Sequence, residues 1–156
     1  SNLNNPCQQL KSALNHLSTC PDILVRKVSC LYRSPPWGDV RNQPDFVNAV
    51  VQVETGMAPE VLLQQLQTIE QVQGRCRGTK RYGPRPLDID ILLYGKLVYN
   101  SRMLTIPHPY LEQRDFVLYP LAEIAPDLIL PRGVSILELV SACTMRTLSK
   151  LEKGFT

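Results

Sequence analysis

Three features of this 156-residue sequence predict an α+β fold, with helices packed against a mainly antiparallel sheet. Apolar residues switch between a helical and a two-residue period in the order helix, strand, loop, strand, helix, strand. Proline- and glycine-rich stretches fall between those patterns. A chain of this length that is 44% hydrophobic can bury one core but hardly two, so a single domain over residues 1–156 is expected.

Asn5 followed by Pro6 reads as an N-cap with proline at the first helical position, and Leu10, Ala13, Leu14 and Leu17 share one stripe. A first helix over 6–18 follows. From Ile23 to Tyr32 a two-residue period predicts a strand, with Val28, Cys30 and Tyr32 alternating against Lys27, Ser29 and Leu31. Residues 33–45 carry three prolines, a glycine and Trp37, and form a loop. A second strand over 46–54 sets Phe46, Asn48, Val50 and Gln52 on one face against Val47, Ala49, Val51 and Val53. Pro59 opens a helix over 59–73, with Leu62, Leu66 and Ile69 buried and Gly74 as its stop.

Residues 74–86 are a glycine- and arginine-rich loop, followed by a short strand from Leu87 to Tyr94 and a hairpin-like turn at Gly95-Lys96 leading to Leu97-Val98-Tyr99. From Arg102 to Pro126 no clean period emerges apart from the apolar run 116–118, and the stretch reads as irregular. A last helix is expected over 135–143, capped by Ser135, with Ile136, Leu139, Val140 and Cys143 on one side. This order is that of a ferredoxin-like split βαβ unit lacking its opening strand.

The net charge of +3, from 17 basic and 14 acidic residues, is far below that of a strongly basic nucleic-acid binder. Cysteines 7, 20, 30, 76 and 143 form no CxxC pair and read as reduced, mostly buried thiols of a cytoplasmic protein. No apolar run approaches the roughly 18 residues of a membrane span, and no charged-then-apolar leader opens the chain. The first residues, Ser1-Asn2-Leu3, lack an initiating Met.

Asp88 and Asp90 stand two apart in the apolar run 87–93. On a strand they share a face, about 6.6 Å apart at Cα. Unpaired, they would repel and lose hydration at a cost of several kcal/mol, unless a cation or basic partner compensates. Magnesium prefers oxygen ligands and commonly takes one or two carboxylates together with phosphates and water. The bland alternative is that both acids pair with neighbouring arginines. Arg75, Arg77, Lys80, Arg81 and Arg85 immediately precede them, where they could fork onto phosphate oxygens. That run could equally be a solvated face or a nucleic-acid patch. It is no P-loop, since GxxxxGK[ST] started at Gly74 needs a glycine where Thr79 stands.

Phe46 and Asn48, side by side off the apolar face, could stack on a flat ring and bond its edge. They could also be ordinary core and strand edge. His108, between Pro107 and Pro109, suits a phosphate or base contact as well as a structural one.

Taken together, Arg81-Tyr-Gly-Pro-Arg-Pro-Leu-Asp-Ile-Asp-Ile-Leu-Leu-Tyr94 resembles the signature of the 6-hydroxymethyl-7,8-dihydropterin pyrophosphokinases. The resemblance continues in order through 1–3, 31–36, 43–48, 69–70, 74–75, 106–108, 114–118 and 120–126. It implies a ferredoxin-like enzyme, usually monomeric, that moves pyrophosphate from ATP to a pterin hydroxymethyl group with two magnesium ions. Asp88 and Asp90 would hold the metal, with Arg75 and Arg85 catalytic beside them. Glu70, Arg75, Arg77, Tyr82, Arg85, Thr105, His108 and Arg114 would line the ATP site. Phe46 and Phe116 would sandwich the pterin, Asn48 would read its edge, and Ser34, Pro35, Trp37 and Gly38 would add backbone contacts. The family also places a first strand just before Ser1, and that strand is expected to lie outside this sequence.

In the implied reaction the pterin hydroxyl attacks the β-phosphorus of ATP and AMP leaves, with closure of the 74–86 loop excluding water. Two other classes compete: an RNA-binding module using the arginine loop, and a nucleotide-binding relative without activity. Carboxylates beside the loop disfavour RNA phosphates; release of AMP separates the enzyme from its inactive relative.

Overall fold

The computed structural model describes residues 1–36, 43–74, 85–144 and 147–151. Helix α1 (Pro6–Thr19) starts at Asn5, but its cap is made by backbone. The Asn5 carbonyl accepts from the amides of Gln8 and Gln9 at 2.9 and 3.1 Å, while the side chain makes no capping bond. Ala13 and Leu17 turn inward as the stripe predicts.

The two long strands expected over 23–32 and 46–54 are each broken in two. Strands β1 (Ile23–Val28), β2 (Tyr32–Ser34), β3 (Phe46–Asn48) and β4 (Val51–Thr55) form one bent antiparallel hairpin, β1 on β4 and β2 on β3. The bend lies at Ser29, whose amide donates to the Val50 carbonyl at 2.9 Å while its hydroxyl accepts from the Val50 amide at 2.9 Å. A side-chain oxygen thus takes the place of a backbone carbonyl in the ladder. The register pairs Tyr32 with Asn48 and Ser34 with Phe46.

Helix α2 (Pro59–Val72) buries Leu62, Leu66 and Ile69 and ends before Gly74, whose φ of +90° is a glycine conformation. Residues 87–94 were expected to be a strand, and among the described residues they pair with none. They keep the alternation: Leu87, Ile89 and Ile91 reach one apolar cluster while Asp88 and Asp90 do not. Between this segment and β4 lies a cleft of about 540 Å³, bordered by 48–53 on one side and 87–93 on the other. Of Leu97-Val98-Tyr99, to which the turn at Gly95-Lys96 leads, only Tyr99 pairs, in β5 (Tyr99–Asn100) against β6 (Thr105–Ile106). Leu97 and Val98 are exposed.

The stretch read as irregular holds helix α3 (Asp115–Ile124). Pro120 inside it removes one helical hydrogen bond and costs about 3 kcal/mol. Val117, Leu118, Leu121 and Ile124 are all buried, and at roughly 1.5–3 kcal/mol each their burial outweighs that cost. Lys27 donates through Nζ to the Ile124 carbonyl at 2.9 Å, capping the helix with positive charge. Helix α4 (Ile136–Ala142) has the expected cap, a reciprocal box in which Ser135 Oγ accepts from Glu138 N and Glu138 Oε2 from Ser135 N. Strand β7 (Ser149–Lys150) pairs with β2.

The core divides into two apolar clusters where one was expected. Helices α1 and α2 meet Leu87, Ile91 and Ile106 in the first; α3 and α4 meet Val50, Leu111 and Leu130 in the second. The four described cysteines, Cys7, Cys20, Cys30 and Cys143, are half-buried rather than buried. Among the described residues no helix is long and apolar enough to cross a membrane.

Candidate active site

Helix α2 brings Glu70 behind the acid-bearing segment. Its carboxylate, 5% exposed, accepts from the Ile89 amide at 2.7 Å, between the two aspartates. Asp88 Oδ2 receives Arg85 Nη1 at 2.6 Å, so the bland reading of arginine pairing holds for this acid. Asp90 is different: its Oδ2 lies 3.8 Å from His108 Nε2 and 4.0 Å from Arg114 Nη1, beyond hydrogen-bond reach. Nearly half of its side chain reaches solvent. Loss of hydration on the sides packed by protein, and then the charge of Asp88, still push its carboxyl above the ordinary range.

His108 accepts at Nδ1 from the Tyr110 amide at 3.2 Å, which places the proton of the neutral ring on Nε2, towards Asp90. Burial pushes its pKa down, against the pull of Asp90, and Arg114 adds to the lowering. The Arg114 guanidinium lies 4.9 Å from the centre of the Tyr110 ring and 5.5 Å from that of Phe116, which fixes its plane by cation–π contact.

Asp88, Asp90, Arg114, Phe116 and Asn48 border one cleft, the central juxtaposition expected from the sequence. Asn48 Nδ2 donates to Ser34 Oγ at 2.9 Å; Ser34 is buried, so its hydroxyl orients the amide. Phe46 is half-buried, two residues away on the same strand and outside the cleft's lining. Thr105 Oγ1 is taken up by Asn100 Oδ1 across the β5–β6 pair at 3.1 Å. Pro35 is exposed at the end of β2. Arg75, Arg77, Tyr82, Trp37 and Gly38 lie outside the described residues.

Among the described residues no three histidines, cysteines or acids cluster as a metal cage. Two carboxylates, one of them opposed by its neighbour's charge, instead fit a hard cation that draws its remaining ligands from water or phosphate oxygens. Most of the cleft is apolar, and a polyphosphate fits only where the acids, Arg114 and His108 gather.

Two neighbours of the site carried no periodic signal. Asn2, 3% exposed, donates through Nδ2 to Gln43 Oε1 and the Pro44 carbonyl, both at 3.2 Å, and accepts from the Arg85 amide at 2.9 Å. It joins the segment that leads into β3 to the one that leads into the two acids. Tyr110, under Arg114, was one of three aromatic residues, with Phe116 and Tyr119, in an aperiodic stretch.

Residues 1–126 match the family model of the 7,8-dihydro-6-hydroxymethylpterin-pyrophosphokinases. A 2-amino-4-hydroxy-6-hydroxymethyldihydropteridine pyrophosphokinase of Haemophilus influenzae is 46% identical over 151 residues, 97% of this chain and 93% of that protein. One of the same name from Pseudomonas aeruginosa is 45% identical, over 97% of this chain and 92% of that protein. The folic acid synthesis protein fol1 of Schizosaccharomyces pombe is 44% identical over 131 residues, which are 84% of this chain and 18% of that larger protein.

Proposed function

Because the chain belongs to the 7,8-dihydro-6-hydroxymethylpterin-pyrophosphokinase family, we propose that it transfers pyrophosphate from ATP to 6-hydroxymethyl-7,8-dihydropterin, releasing AMP, in folate synthesis. The observation that carries this reading is that Asp88, Asp90, Arg114, Phe116 and Asn48 line one cleft.

The substrate hydroxyl oxygen bonds to the β-phosphorus of ATP. The bond from that phosphorus to the α,β-bridging oxygen breaks, the bridging oxygen leaves on AMP, and the hydroxyl proton passes to solvent. Asp88 and Asp90 would hold magnesium, which supplies positive charge against the phosphate oxygens. Arg114 and His108, already within 4.0 Å of Asp90, present further positive charge and an N–H donor to the same oxygens. Glu70 holds the backbone between the acids, so that little reorganisation accompanies reaction. Phe116 offers a ring face and Asn48 an amide held by Ser34, which suits a flat heterocycle with donors and acceptors on its edge.

The reading keeps Arg75, Arg77 and Arg85 on the phosphate side with Tyr82, Glu70 and Thr105. Phe46, Ser34, Pro35, Trp37 and Gly38 stay on the pterin side. It takes the protein as a cytoplasmic monomer with one pyrophosphokinase domain. The ferredoxin-like sheet belongs to the same reading. Val47 and Ser1 exchange backbone bonds at 2.8 and 3.2 Å, and the Asn2 amide donates to the Arg85 carbonyl, so residues 1–2 already bridge β3 and the acid-bearing segment.

Chromatography of the nucleotide products after incubation with ATP, magnesium and the pterin tests the proposal. AMP in equal amount to the pterin diphosphate is expected; ADP, or no consumption of ATP, would refute it.

A further inference from the structure

Asp115 sits between Arg114 and Phe116 and is 1% exposed. A carboxylate so buried must be compensated by hydrogen bonds, and three donors meet it. Its Oδ1 accepts from the Phe116 amide at 2.7 Å, and its Oδ2 accepts from the Thr147 amide at 3.1 Å and the Thr147 hydroxyl at 2.8 Å. Thr147 lies beyond the residues 1–126 that match the family model. The segment it begins runs directly onto the other wall of the site. Ser149 and Lys150 pair with Arg33 and Tyr32, and the Leu151 amide donates to the Leu31 carbonyl at 2.9 Å.

The same two walls are clamped further along α3. Glu123 accepts from Tyr32 Oη at 2.8 Å, from the Cys30 amide at 3.2 Å and from Lys150 Nζ at 3.3 Å. Tyr32 in turn lies opposite Asn48 in the ladder.

We propose that residues 147–151 are a positioning strap for ring binding. Through Thr147 and the Asp115 carboxylate they fix the first turn of α3, and through β7 they fix β2 and with it Asn48. The strap sets the spacing between Phe116 and the Asn48 edge, and Thr147 is a positioning residue that touches no substrate. The inference rests on the proposed function only in naming the pterin as the ring so held.

Thr147→Val removes the hydroxyl donor while keeping the amide, and Thr147→Ser retains both. The valine variant should raise the KM for the pterin about fivefold with kcat changed less than about twofold, and serine should restore it. It should also speed hydrogen exchange at the amides of 116–118 without changing protection in α1 and α2. That readout needs no turnover, so an inactive wild type would refute the proposed function and leave the strap to be judged by exchange. A lowered melting temperature with unchanged pterin KM and unchanged local exchange would overturn the strap. So would serine behaving like valine. If Thr147→Val does not fold, Lys150→Met, which cuts the tie to Glu123, is read by the same two measures and must move both.

Discussion

Glu70→Ala tests whether the acid-bearing segment is held from behind. The buried carboxylate, 5% exposed, lies 2.7 Å from the Ile89 amide in a charge-assisted hydrogen bond. Such bonds contribute about 1.5–3 kcal/mol, and the alanine variant also leaves the Ile89 amide without this acceptor. For a chain of this size each kcal/mol moves the melting temperature by about 2–4 °C, so a fall of roughly 3–12 °C is expected. Glu70→Gln keeps an acceptor without the charge and should lose only about 1 kcal/mol, a fall of about 2–4 °C. The effect on rate should be larger than stability alone implies, because Ile89 lies between Asp88 and Asp90 and a displacement of about 1 Å at reacting groups costs about 100-fold. Thermal melts and AMP release across a magnesium titration measure the two effects. An alanine variant melting within about a degree of wild type would refute the supporting bond. Lowered stability with undiminished turnover would refute the claim that the bond positions the acids.

Asp90→Asn should lower AMP release by about 100-fold or more, since it removes a carboxylate that would hold magnesium against the phosphates. Its stability effect has the opposite sign. The carboxyl pKa is raised in the folded protein above 3.8, so the folded form binds its proton more tightly; that contribution is full below 3.8 and is lost as pH rises through the folded value. The ligand-free asparagine variant should therefore melt above wild type at neutral pH, with the gap closing as pH falls towards 4; a gap that persists in acid would contradict this. Tyr32 gives a second pH test, because burial and the bond to Glu123 push its phenol up to about 12 from 10.0. Its contribution is full below pH 10.0 and disappears as pH rises through about 12. Wild-type melting should decline across that window relative to Tyr32→Phe, and parallel curves would show that the phenol carries no such contribution.

Helices α1, α2 and α4 were legible because their apolar stripes, initiating prolines or cap stand in sequence order. Helix α3 was hidden by Pro120 and its proline-rich surroundings, although Val117, Leu118, Leu121 and Ile124 have helical spacing. The breaks in the two long strands were not legible, because a serine hydroxyl can stand in for a carbonyl without disturbing alternation. The pattern 87–93 correctly separated the acids from Leu87, Ile89 and Ile91, but periodicity records which way side chains turn and says nothing of a backbone partner. Within the site, Asp88 and Asp90 announced themselves as charges in an apolar run. Asn2 and Asp115 could not, since a single buried polar residue has no period and its importance lies in partners 41 to 83 and 32 positions away.

The bend at Ser29 has a thermodynamic reach beyond its own two bonds. The hairpin it holds together sends Val53 into one apolar cluster and Val50 into the other. One ribbon therefore belongs to both, and neither can melt without loosening a wall of its neighbour. Cooperativity across the molecule is thereby built into a shared pair of strands, and the two halves are bound to a common unfolding transition.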